Sequence, residues 1–128
     1  MKKLNKEGKI TCWKIYKFND SIKTLYPIYY NNKNDIKGPG IVISNRQNKK
    51  LINIEKEKEH VSVIYKGIHV YTTRAEALLS LKIGELNKYC VIIPVTCYKK
   101  DLIAQGTGNE AAFMNVTIEK DTWDKISS

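Results

Sequence analysis

The sequence predicts an α+β domain: a mainly antiparallel β-sheet, strongly twisted or partly closed, carrying one principal α-helix over about residues 74–86. Three observations lead there. Period-two alternation, rich in β-branched and aromatic residues, recurs along most of the chain, as half-buried strands require. A single capping box, Thr73-Arg74-Ala75-Glu76, opens the clearest stretch with helical spacing. Finally, 42% hydrophobic and 27% charged residues over 128 positions are the values of an ordinary globular protein, which excludes collagen, coiled coil and wholesale disorder. With no internal repeat and no Gly/Ser or Pro-rich linker, residues 1–128 read as one domain.

The elements follow in order. Lys9 to Phe18 (KITCWKIYKF) alternates, with Cys12, Lys14, Tyr16 and Phe18 on one face and Thr11, Trp13, Ile15 and Lys17 on the other. A second strand, Ile22 to Tyr30, follows across the Asn19-Asp20 turn and completes a hairpin. Asn31 to Gly40 (NNKNDIKGPG) is a stretch of turn formers. Ile41 to Ser44, Leu51 to Ile54 and Val61 to Tyr65 read as a meander of short strands, with the alternating charges of Glu55 to His60 as a solvated connection. Ile68 to Thr72 is a further strand running into the capped helix, whose Leu79, Ile83 and Leu86, widened by Ala75 and Leu78, form the face expected to pack on the sheet. Tyr89 to Tyr98 (YCVIIPVTCY) is the most apolar strand, and Pro94 predicts a bulge or break within it. Leu102 to Ala104 is short, Gln105 to Asn109 is a glycine turn, and Glu110 to Glu119 reads as one closing strand. Asp121 is placed to cap a single helical turn that folds Trp123 onto the core.

Charge is the anomaly. The chain carries 22 Lys and Arg against 13 Asp and Glu, a net of +9. Residues 1–66 hold 14 lysines and one arginine against six acids, whereas residues 67–128 hold six lysines and one arginine against seven acids, so the whole excess lies in the first half. A one-sided basic surface attracts polyanions. Twenty of the 22 cations are lysine, which lacks the planar fork that pairs with guanine, so sequence-specific base reading is disfavoured. Lysine-rich composition also follows from AT-rich codon usage, and lysine solubilises a surface without binding anything. Lysines interleave with aromatics at Trp13-Lys14 and Tyr16-Lys17, an arrangement that suits stacking on single-stranded nucleic acid and equally suits a hairpin core.

No catalytic constellation emerges. Cys12, Cys90 and Cys97 include no CxxC pair and read as free thiols in a reducing compartment; His60 and His69 lack HxH or HExxH spacing, so no metal is expected. Ser44, Ser62 and Ser80 lack a G-x-S-x-G context, and Gln105-Gly106-Thr107-Gly108-Asn109 matches no phosphate-binding motif, so no cofactor is expected either. No apolar run reaches the ~20 residues of a membrane helix, and no apolar stretch behind the lysine-rich start serves as a signal peptide.

Two resemblances attach to the strand-to-helix junction. Gly67-Ile68-His69-Val70-Tyr71-Thr72-Thr73, the Thr-capped helix with Glu76-Ala77, and the later Asp101-Leu102-Ile103-Ala104-Gln105-Gly106 together resemble small uncharacterised proteins of bacteriophages and related mobile elements, over about residues 60–120. That resemblance brings no activity; it implies the cytoplasm of a host cell, or incorporation in a virion. Tyr71-Thr72-Thr73 also resembles the Ser-Thr-Ser strand of ADP-ribosyltransferases, with Arg46 as the upstream arginine, although the family's Glu/Gln-x-Glu is missing and Glu110 stands alone. The function expected is a non-enzymatic binding or assembly protein of phage type that meets an acidic protein or nucleic acid through Lys14, Lys17, Arg46, Lys49 and Lys50, with no membrane partner. Two alternatives stand beside it. One is a nucleotide or small-ligand site, or a degenerate transferase, around Arg46, His69, Tyr71 and Arg74; the other is a purely structural virion subunit or homo-oligomer.

Overall fold

The computed structural model describes residues 8–27, 35–43, 67–83, 90–106 and 109–128. In chain order these form β1 (Lys9–Asn19), β2 (Thr24–Pro27), β3 (Gly40–Ile43), β4 (Ile68–Tyr71), α1 (Arg74–Ile83), β5 (Cys90–Tyr98), a 3-10 turn (Lys99–Asp101), β6 (Leu102–Gln105), β7 (Glu110–Phe113), β8 (Asn115–Ile118) and α2 (Lys120–Ser127). All the ladders among them are antiparallel and build one sheet in the order β3-β8-β5-β1-β4-β7-β6, with β2 added along β1. The domain is thus mostly antiparallel sheet with two helices. The sheet is not closed. The strands expected at Leu51–Ile54 and Val61–Tyr65, and residues 84–86 of the expected helix, lie outside the described residues.

The β1–β5 pair is the axis of the sheet. It runs without a register shift from Lys9 opposite Tyr98 to Lys17 opposite Cys90, and Pro94 sits within it opposite Trp13. The bulge or break expected at Pro94 does not occur. An uninterrupted ladder through a proline requires that its missing donor face away from the partner strand, and on that side β8 pairs with β5 at Thr96 alone. Alternation along β1 holds as well. Ile10, Cys12 and Tyr16 are buried on one face, and Thr11 and Lys17 are exposed on the other, where Ile15 is covered.

The turn after β1 is built by Asn19, whose side-chain oxygen accepts from the amides of Ser21 at 3.0 Å and Ile22 at 3.4 Å. Lys23 closes it at φ 50°, so the second strand begins at Thr24 rather than at Ile22, which stands exposed in the turn. Beyond β2, Ile36 exchanges two backbone hydrogen bonds of 2.9 Å with Leu25, giving the turn-rich stretch one strand-like bridge.

Helix α1 starts where the capping box puts it, with the Glu76 amide donating to the Thr73 hydroxyl at 3.2 Å. Its buried face differs from the expected one. Ala77 is fully buried and Leu78 and Leu81 are half-buried, while Ala75 is exposed and Leu79 is 49% exposed. Apolar residues occur nearly all round this helix, and the side that lies nearest the sheet is the one whose small Ala77 permits close approach. The helix packs against β1, β4 and β5.

The closing segment is two strands, not one. It breaks at Met114: β7 pairs with β4 and β6, and β8 pairs with β3 and β5. The tail is longer than the single turn expected, an eight-residue helix that begins after Glu119 rather than at an Asp121 cap. Trp123 does fold onto the core, joining Tyr16, Leu25, Val95, Phe113 and Val116 in one apolar cluster. Burying side chains of this size stabilises the fold by roughly 1.5–3 kcal/mol each.

Candidate functional site

One edge of β1 is divided between two strands. β2 pairs with it from Tyr16 to Asn19, and β4 meets it at Trp13 opposite Tyr71. Lys14 stands at the junction. Its ammonium donates to the His69 carbonyl of β4 at 3.0 Å and lies 5.2 Å from the centre of the Tyr16 ring. Lys14 therefore occupies the face that buries Cys12 and Tyr16, and it pairs across the ladder with Ile93 of β5.

The surroundings are apolar and the charge has no counter-ion among the described residues, where the ion pairs are Lys23 with Asp20 and Lys120 with Asp124. Burial disfavours the ammonium and lowers the pKa of Lys14 to about 8. Tyr16, 1% exposed, keeps a hydroxyl with no hydrogen-bond partner among the described residues. Burial, and secondarily the nearby Cys97, push its phenol well above the ordinary range. Further along the same face Cys12 and Cys97 are completely buried. Their side-chain hydrogen bond, reinforced by burial, holds the Cys97 thiol protonated. The arrangement is a weakly basic amine, a buried phenol and two thiols on one face of the central strands.

The other residues singled out from the sequence are dispersed. Lys17 is exposed on the opposite face of β1 from Lys14, across from Cys90, so these two lysines form no common patch. The Cys90 thiol is raised by burial, with the charge of Lys17 acting against that shift. His69 and Tyr71 share a face of β4, the first exposed and the second half-buried, and Arg74 is exposed in the first turn of α1. Arg46, Lys49 and Lys50 lie outside the described residues. Lys14, expected as a polyanion contact, shares its face with Cys12 and Tyr16, as the alternation of β1 predicts.

Among the described residues no group of three or more His, Cys, Asp or Glu is placed to hold a metal ion, and no helix is long and apolar enough to cross a membrane. Comparisons with protein-family models, with curated proteins and with solved structures each return no match for this chain.

Proposed function

We propose that this chain is a non-enzymatic binding or assembly protein whose lysine-rich first half meets an acidic partner, nucleic acid or protein. The observation that carries the reading is the charge division: a net of +9 confined to residues 1–66, against a balanced second half. Exposed Lys17 and Lys37, which make no ion pair with a described residue, support it. In this reading Lys17, Arg46, Lys49 and Lys50 supply the contact, and Lys14, facing the core, contributes little. Lysine point charges neutralise phosphate or carboxylate without reading bases, so the contact is non-specific. The resemblance of Gly67–Thr73 to phage proteins supports a setting in a host cell or a virion.

A strongly curved sheet belongs to the same proposal. β7 and β8 are joined by Met114 alone, yet β5, β1 and β4 lie between them in the sheet order. In a flat sheet four strand spacings would part them by roughly 19 Å, whereas two peptide steps reach at most about 7.6 Å.

Titration of a fluorescent DNA duplex, and separately of fluorescent polyglutamate, with the full chain at low and physiological salt tests the reading. For the duplex, affinity is expected to fall with salt at a log–log slope of about −0.9 per phosphate contact, and Lys17→Glu weakens whichever probe binds. Absence of binding to both probes at low salt overturns it.

A further inference from the structure

We propose that the outer side of β3, β8, β5 and β1 is a docking face for single-stranded nucleic acid, built on Tyr98 and the lysines around it. Register carries the argument. Ile41 pairs with Thr117, Thr117 with Thr96, and Thr96 with Thr11, so one row of side chains crosses all four strands on one side of the sheet. Beside that row lie Ile43 opposite Asn115, and Tyr98 opposite Lys9. Intervening residues such as Cys12, Val95 and Val116 point the other way, into the core. The outer side is open to solvent over most of its extent. Ile41 and Ile43 are 69% and 63% exposed, Lys9 and Thr11 are exposed, and Tyr98 is half-buried, while Thr96 lies buried at the centre of the row.

Charge and chemistry select the occupant. None of these positions is acidic, and the Lys100 ammonium lies 5.9 Å from the centre of the Tyr98 ring. Lys99 and Lys100 are exposed just past the end of β5 and make no ion pair with a described residue. Of the acids flanking the face, Asp101 accepts from the Asn115 side chain, and Glu119 lies beyond the end of β8. Lysines alone would take any polyanion. A ring among them adds a platform on which an unpaired base stacks, which a duplex with its bases already stacked and an acidic peptide without bases cannot use. Lysine lacks the fork that reads base edges, so the strand is taken without sequence preference. This inference rests on the polyanion reading and narrows it to one partner and one face, adding Lys99 and Lys100 from the balanced second half.

The test is fluorescence anisotropy with the full chain at low salt and three labelled probes: an oligothymidine of about twelve nucleotides, a DNA duplex and polyglutamate. The single strand is expected to bind more tightly than either of the others. Tyr98→Ala should weaken single-strand binding about fivefold or more, Tyr98→Phe should retain it, and both should leave polyglutamate binding as in the parent. Truncating half-buried Tyr98 also removes packing, so Thr11→Glu, which places an opposing charge at an exposed position of the face, is the second variant. It too should weaken single-strand binding. Full single-strand affinity in Thr11→Glu, or a single strand bound no more tightly than the duplex, overturns the proposal. Binding of duplex or polyglutamate would then leave the broader polyanion reading standing, whereas no binding to any probe removes both. A dimer of the parent that Thr11→Glu dissociates, with no strand bound, would give the face to a second copy and equally overturn the proposal.

Discussion

The Met114 amide donates to the Asp101 carbonyl at 2.8 Å, and the two residues belong to two short connections that cross the sheet order. Asp101 ends the three-residue turn from β5 to β6, and Met114 alone joins β7 to β8, so each connection links strands on opposite sides of β1 and β4. The side chain of Asn115 adds a longer bond of 3.4 Å to the Asp101 carboxylate. The main-chain bond should therefore matter more than the side-chain one. Met114→Pro deletes the donor and leaves a carbonyl without it, at an expected cost of about 2–3 kcal/mol. Asn115→Ala should cost less than about 1 kcal/mol. Urea denaturation of both variants checks the ranking, and equal midpoints for Met114→Pro and the parent would show that the tie carries no stability.

What could be read in advance divides along physical lines. Local signals were sufficient for β1, whose alternation is read from Lys9 to Phe18 within the observed Lys9–Asn19, and for the start of α1, where Thr73 and Glu76 interact within one turn. Features decided by partners distant in sequence were not readable. Nothing near Met114 marks a break, because the break exists to let Phe113 pair with Ile68 while Asn115 pairs with Ile43. Likewise Pro94 looks disruptive until β8 is seen to pair with β5 only at Thr96. The helix face went wrong for a related reason: with apolar residues on most sides, the sheet and not the spacing selects Ala77 over Leu79. Lys14 is expected from the sequence to be a polyanion contact, and only its neighbours across two strands put it on the face of Cys12 and Tyr16 with its ammonium on the His69 carbonyl.

Among the described glycines, Gly67 is the one the fold can least replace. It has φ 87°, and a Cβ there would lie 2.5 Å from Ile103 Cδ1 and 3.0 Å from the Phe113 carbonyl oxygen. Conformation and contact therefore oppose any side chain at once. Gly67→Ala is expected to destabilise the domain by about 2–3 kcal/mol. Ile103→Ala in the same chain should relieve the clash but not the backbone strain, so a double-mutant cycle by urea denaturation should return a favourable coupling energy. A coupling of zero would mean that Ile103 moves aside freely.

The three thiols should react in a fixed order. Cys90 is half-buried at the start of β5, whereas Cys12 and Cys97 are completely buried free thiols hydrogen-bonded to each other. Iodoacetamide is expected to modify Cys90 alone in the folded chain and all three thiols in denaturant. Because the charge of Lys17 lowers the Cys90 pKa against the effect of burial, Lys17→Ala should slow Cys90 alkylation a few-fold near pH 8. Rapid labelling of Cys12 or Cys97 in the folded chain would contradict the packing of this face.

Lys14 imposes a pH dependence with a definite sign. Its pKa falls from 10.5 in the unfolded chain to about 8 in the fold, so between those values the unfolded state binds more protons and stability rises with pH. Below about pH 8 the cost of burying the ammonium is present in full, with a limiting value of about 3 kcal/mol. Lys14→Met keeps an apolar stem and removes the charge. It should stabilise the domain by about 1–3 kcal/mol at pH 7, and the gain should shrink toward nothing near pH 10. Cys97 and Tyr16, whose pKa values are raised, act in the opposite direction as alkaline pH favours ionisation in the unfolded chain. The informative quantity is therefore the difference between parent and variant, measured by urea denaturation across that range. A difference that stays constant from pH 7 to pH 10 would mean that the Lys14 ammonium is as well solvated in the fold as in the unfolded chain.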